Sequence, residues 1–100
     1  MGVRLRTLHI GAADFVWRAA VRYVPGTEGA CLRVVRVRVW GGGRHSRVLQ
    51  ADLTAPVTDE SWHPTPRDVK ALVEHALAHG WRPEVRGGMF VLRNAHLTPA

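Results

Sequence analysis

The stretch Cys31-Leu32-Arg33-Val34-Val35-Arg36-Val37-Arg38-Val39-Trp40 decides the fold. From Arg36 to Val39, charge and apolar bulk alternate with a period of two, as in a strand with one face buried and one in water. Gly41, Gly42 and Gly43 end it. The alternation slips once, at Val34-Val35. Leu32 and Val34 would face inward before the slip, and Val35, Val37 and Val39 after it. A β-bulge there would keep Arg33, Arg36 and Arg38 together on the outer face. The alternative is a strand buried on both faces at that point. In both cases this is the central strand of a sheet whose outer face carries arginine.

The flanking segments extend the sheet. Val3 to Ile10 is a first strand, with Val3 and Leu5 inward and Arg4 and Arg6 outward. Phe15 to Val24 is a second: Phe15, Trp17, Ala19, Val21 and Tyr23 share one face, and Arg18 and Arg22 lie on the other. Pro25 to Gly29 is a turn, since proline presets φ and glycine supplies the positive φ that turns need. Gly41 to His45 makes a hairpin loop. Arg47 to Leu53 is a fourth strand, with Leu49, Ala51 and Leu53 inward and Gln50 and Asp52 outward. The loop from Thr54 to Pro64, long for a small domain, carries Asp59, Glu60, Trp62 and His63.

The helix has start and stop signals. Thr65 is an N-cap, Pro66 occupies the first helical position and Asp68 completes a capping-box pair. Val69, Leu72, Val73, Ala76 and Leu77 recur at helical spacing. His79 suits the negative end of the helix dipole. Gly80 follows as the left-handed residue, with Trp81 folding back as its hydrophobic contact and Pro83 preventing continuation. Met89 to Arg93 is a last short strand, and residues 94–100 form a frayed tail.

The order ββββαβ predicts an α+β fold. A four- to five-stranded, mainly antiparallel sheet carries one amphipathic helix on its apolar face, within a single domain over residues 1–93. The expected core is Val3, Leu5, Trp17, Val21, Val35, Val37, Val39, Leu49, Leu53, Val69, Leu72, Val73, Leu77, Phe90 and Leu92.

The chain is basic, with a formal net charge of +6 from 14 Lys and Arg against 8 Asp and Glu. All but one of those cations, Lys70, are arginine. Arginine- and alanine-rich usage of this kind points to a GC-rich bacterial genome, which accounts for the number of arginines but not for their placement. Residues 1–50 sum to +7 and residues 51–100 to −1, so the basic character belongs to the first half. Such asymmetry suggests an anionic partner. Cys31 is the single cysteine, which leaves no internal disulfide and fits a reducing cytoplasm. No run approaches the roughly 20 apolar residues that span a bilayer. A soluble cytoplasmic protein with no membrane partner is expected.

Candidate chemistry centres on the arginines. Arg4, Arg6, Arg18, Arg22, Arg33, Arg36 and Arg38 would project from three adjacent strands with no outward acid among them, and Trp40 has the same parity at the edge. Arginine suits an anionic partner because its planar fork binds carboxylate or phosphate bidentately. The leading expectation is a non-catalytic interaction module: an adaptor, an inhibitor or immunity-type protein, or a complex subunit. Its basic face would meet an acidic protein surface, with Trp62 and His63 as an accessory interface loop, since Trp and Arg dominate interface hot spots. The alternative is a nucleic-acid accessory protein that grips the phosphate backbone through the same face. Against it, the strands lack the interleaved aromatics that stack bases, and the helix is nearly neutral. An exposed edge strand could also pair two copies into a homodimer.

No catalytic set emerges, and no enzyme or cofactor is expected. Cys31 and Asp59 lie in no nucleophile motif. Gly41 to Ser46 resembles a phosphate-cradling loop in composition only, because it leads into a strand and not a helix. Asp59 and Glu60 are adjacent and point apart in an extended loop. His75 and His79 stand at i, i+4, a valid metal-pair spacing, but without a third ligand at a recognised distance in sequence, so no metal site is expected.

Overall fold

The computed structural model describes residues 5–25, 31–43, 45–54 and 63–92. Five strands and one helix follow in the order β1 (Arg6–Ile10), β2 (Ala13–Pro25), β3 (Cys31–Trp40), β4 (Val48–Thr54), α1 (Pro66–Ala78) and β5 (Met89–Leu92). They form the expected α+β fold. The sheet order is β1-β2-β3-β4-β5. The first four strands are antiparallel neighbours, and β5 adds to β4 in parallel. Among the described residues no helix is long and apolar enough to cross a membrane.

The core lies between the helix and one face of the sheet. Val35, Val37 and Val39 are fully buried there, beside Trp17, Leu49, Ala51 and Leu53, under the stripe Val69, Leu72, Val73 and Ala76. Leu8, Phe15 and Trp81 close one end, and Phe90 and Leu92 pack at the margin. Three expected core residues are open instead: Leu5 at 47%, Val21 at 38% and Leu77 at 40% exposure. The buried helical stripe is narrower than its spacing implies and stops short of Leu77. Val3 lies outside the described residues, as do the 26–29 part of the predicted turn, Asp59 and Glu60, and the predicted tail.

The inverted face of β1 has a cause at its hairpin. Ile10 pairs with Ala13 across the two-residue turn Gly11-Ala12, with Gly11 at φ +59°. A two-residue turn fixes register, and a shift of one residue exchanges the two faces. Leu8 therefore lies opposite Phe15 and Arg6 opposite Trp17 on the helix side. The pattern Val3, Arg4, Leu5, Arg6 fits a strand in either phase, and Leu8 and Ile10 settle it the other way.

The bulge at Val34-Val35 is absent. The β2–β3 ladder runs unbroken from Val16↔Trp40 to Pro25↔Cys31. A bulge would leave a residue unpaired, and the straight ladder instead keeps every pair and leaves Val34 half-buried on the outer face. Arg33 thereby falls on the helix side, opposite Tyr23.

The helix ends are built as the sequence indicates. Thr65 Oγ1 accepts from the Asp68 amide at 3.3 Å, and Asp68 Oδ2 accepts from the Thr65 amide at 2.8 Å. At the other end Gly80 takes φ +104°, the Trp81 amide donates to the Ala76 carbonyl at 2.9 Å and the Gly80 amide to that of Leu77 at 3.4 Å. This is a Schellman ending. It buries Trp81, whose indole N–H donates to the Arg47 carbonyl at 3.0 Å and ties the helix to the entry of β4. The loop Gly41-Gly42-Gly43 is small for a packing reason: a Cβ on Gly41 would stand 2.6 Å from the Pro83 side chain and 2.8 Å from the Phe15 ring. The Ser46 hydroxyl closes this loop from inside, accepting from the Gly42 amide at 3.2 Å and donating to the Gly43 carbonyl at 2.6 Å.

Candidate interaction face

The opposite face of the sheet carries no packed element among the described residues. Cross-strand pairing orders its side chains into rows. Val16 lies beside Trp40, and Val48 beside Met89. Trp40 and Val48 are the next positions along from the Val39↔Leu49 pair, so these four make one apolar row across β2, β3, β4 and β5. The adjacent row is Arg18, Arg38, Gln50 and Val91. Then come Ala20, Arg36 and Asp52, and beyond them Arg22 and Val34.

Of the seven expected arginines, four share this face: Arg18, Arg22, Arg36 and Arg38. Arg6 is on the helix side, with its guanidinium over the Trp17 ring at 5.5 Å. Arg33 is on that side too, with Nη2 3.4 Å from His63 Nε2. Arg4 lies outside the described residues, as does Trp62. The expected loop pair is thus only half visible, and its visible member, His63, sits on the helix side. The period-two pattern identified the arginine strands, but register and not period assigned the faces.

The four outer arginines are held in distinct ways. Arg18 and Arg38 stand directly opposite each other, a like-charge pairing that disfavours the sheet. They diverge: Arg18 lies over the Trp40 ring, 5.6 Å from its centre, and Arg38 Nε donates to Gln50 Oε1 at 2.9 Å. Gln50 is only 9% exposed, so this bond is sheltered and keeps the Arg38 fork fixed at the surface. Arg36 makes a bidentate pair with Asp52, Nε to Oδ1 at 2.8 Å and Nη2 to Oδ2 at 3.1 Å. Hydrogen bonding from Arg36 holds the Asp52 carboxyl below the usual carboxylate range, against a smaller opposing effect of burial. The charges of Arg36, Arg22 and Arg38 add to the lowering. The Arg36 guanidinium is shifted upward by the same bond. Arg22 is exposed and makes no hydrogen bond or ion pair among the described residues.

Asp52 is the residue whose role the sequence left out. Its outward parity on the fourth strand was legible, but its cross-strand partner depended on register. Among the described residues Asp52 neutralises Arg36, and no carboxylate pairs with Arg18, Arg22 or Arg38.

His75 and His79 stack, with ring centres 4.0 Å apart, and His79 Nδ1 lies 2.8 Å from the His75 carbonyl oxygen. That contact makes Nδ1 the protonated nitrogen and engages it within the helix end. No group of three or more His, Cys, Asp or Glu able to hold a metal occurs among the described residues. Comparison with family models, curated proteins and solved structures finds no match for the chain.

Proposed function

We propose that the chain is a non-catalytic interaction module that binds an acidic protein surface through the outer face of its sheet. One observation carries this reading: Arg18, Arg22, Arg36 and Arg38 share with Trp40 a face over which no described element packs, and of the described carboxylates only Asp52 is set among them. The neighbouring apolar row favours a protein over a nucleic acid. Desolvated apolar contacts beside a few oriented arginines are the anatomy of a protein interface. A phosphate backbone would use the charge but not Val16, Val48 or Met89. Among the described residues the one large aromatic ring on the face, Trp40, already carries Arg18 and is not a free platform for bases.

The test is a triple charge reversal, Arg22→Glu, Arg36→Glu and Arg38→Glu, in affinity capture and in a nucleic-acid titration. Loss of a captured acidic protein on reversal supports the reading, and undiminished capture argues against it. Binding of a random-sequence oligonucleotide that falls linearly in log salt, and vanishes in the triple variant, would establish the nucleic-acid alternative. No binding at about 50 mM salt would dismiss that alternative.

A further inference from the structure

We propose that the partner segment is an amphipathic α-helix that lies across the strands, along the row Val16, Trp40, Val48 and Met89, with its carboxylates on the single flank that overhangs Arg18 and Arg38. This inference rests on the functional reading above and specifies the partner's chemistry.

The row's direction selects the secondary structure. Four residues on adjacent strands span about 14 Å at the usual strand spacing of about 4.8 Å. That length equals roughly nine or ten helical residues, enough for apolar anchors at i, i+3 or i+4, and i+7. An extended segment laid on the same row would present its side chains about 7 Å apart and meet only alternate positions. It would also leave its backbone amides and carbonyls against a surface of side chains, whereas a helix satisfies them internally. The row is accessible, with Val16 37% and Met89 45% exposed, and Val91 beside it 47% exposed.

The row's surroundings select the charge and its side. One residue pair along the strands, about 7 Å away, Arg18 and Arg38 lie parallel to the row. The next pairs in the other direction bring His9 and Asp14, already joined to each other. A carboxylate on the first flank meets guanidinium forks; on the second it meets Asp14. A second copy of this chain, face to face, would set the four described arginines against four, with Asp52 already paired to Arg36 and Asp14 to His9 on each side, so self-association is disfavoured.

The probe is a display library of helical peptides of about 14 residues, sorted against the whole chain, with the best binder then synthesised. The expected winners carry an apolar i, i+3/i+4, i+7 stripe with Asp or Glu on one flank. Moving the acids to the opposite flank, or placing a proline at the centre, should weaken the synthetic peptide by about tenfold or more. Val16→Lys, Met89→Lys and Arg38→Glu, each at an exposed or half-buried surface position, should weaken it to a similar degree, with circular dichroism confirming the fold. A peptide with its acids changed to lysine should regain affinity for Arg38→Glu. Acidic winners indifferent to proline, yet lost in the Arg22, Arg36 and Arg38 triple reversal, would overturn the helical partner and leave the functional reading standing. Absence of acidic winners, or winners that bind the triple reversal equally well, would overturn both. A concentration-dependent dimer dispersed by Val16→Lys would place a second copy on the row instead and equally overturn the proposal.

Discussion

The two faces of this sheet are made by the same strands and obey different rules. On the helix side, Val35, Val37 and Val39 are at most 1% exposed and bound to neighbours by shape alone. On the outer side, the intervening Arg36 and Arg38, with Trp40, are half-buried and held by particular partners: Asp52, Gln50 and, over the Trp40 ring, Arg18. The first face converts apolar area into stability. The second spends part of the fold's stability on like charges placed opposite each other, which a folding requirement alone would not select.

Substitutions can break this contrast, and the helix side should respond most. Trp81→Ala removes a buried ring, its contact with Phe15 at 6.0 Å and its bond to the Arg47 carbonyl. Loss of about 3–5 kcal/mol is expected in urea unfolding. Gly41→Ala should cost about 1–3 kcal/mol by overpacking against Pro83 and Phe15, although it only adds a methyl group. A stability equal to wild type would refute that close approach.

The outer face should yield smaller effects. Asp52→Asn removes an exposed ion pair, for which about 0.5 kcal/mol is expected near neutral pH. The sign with pH follows from the lowered Asp52 pKa. The pair's contribution is present above the unfolded carboxylate value of about 3.9 and fades as pH falls through the lower folded value. Unfolding curves of wild type and Asp52→Asn should therefore converge on acidification, and a gap that widens would sink the assignment. Arg18→Glu should change stability least, within about 0.5 kcal/mol, since the lost Trp40 contact is offset by an opposite-charge pair with Arg38. The same variant should lose the acidic partner, which separates what the face does for folding from what it does for binding.

Sequence and structure agree where local chemistry is complete. The helix was legible from Thr65 to Trp81 because each end has its own hydrogen-bonding residues. The β3 and β4 core faces were legible because their alternation is long. Legibility failed where the decision lay with a neighbour. The phase of β1 is fixed by the Gly11 turn, not by Arg4 and Arg6. The side of Arg33 is fixed by an unbroken ladder that overrides the preference of one valine. The pairing of Arg36 with Asp52 is a property of two strands sixteen positions apart, invisible to any single-strand pattern. Of the seven arginines expected on one face, the six among the described residues divide, four to the outer side and two to the helix side.

The parallel addition of β5 has a consequence for the order of assembly. Strands β1 to β4 can zip as successive hairpins between sequence neighbours, whereas β5 joins β4 at residues about forty positions away. Closing that distance is entropically slow unless the chain between is already shortened. The capped helix shortens it, and the Trp81 indole, anchored on Arg47, delivers the chain to the start of β4 just where the β5 ladder begins. Met89 and Val91, which complete the outer apolar row and its border, are therefore expected to join that surface last. The row proposed to bind a partner is complete only once β5 has joined the sheet, so a chain lacking that strand would offer its arginines without the full apolar row beside them.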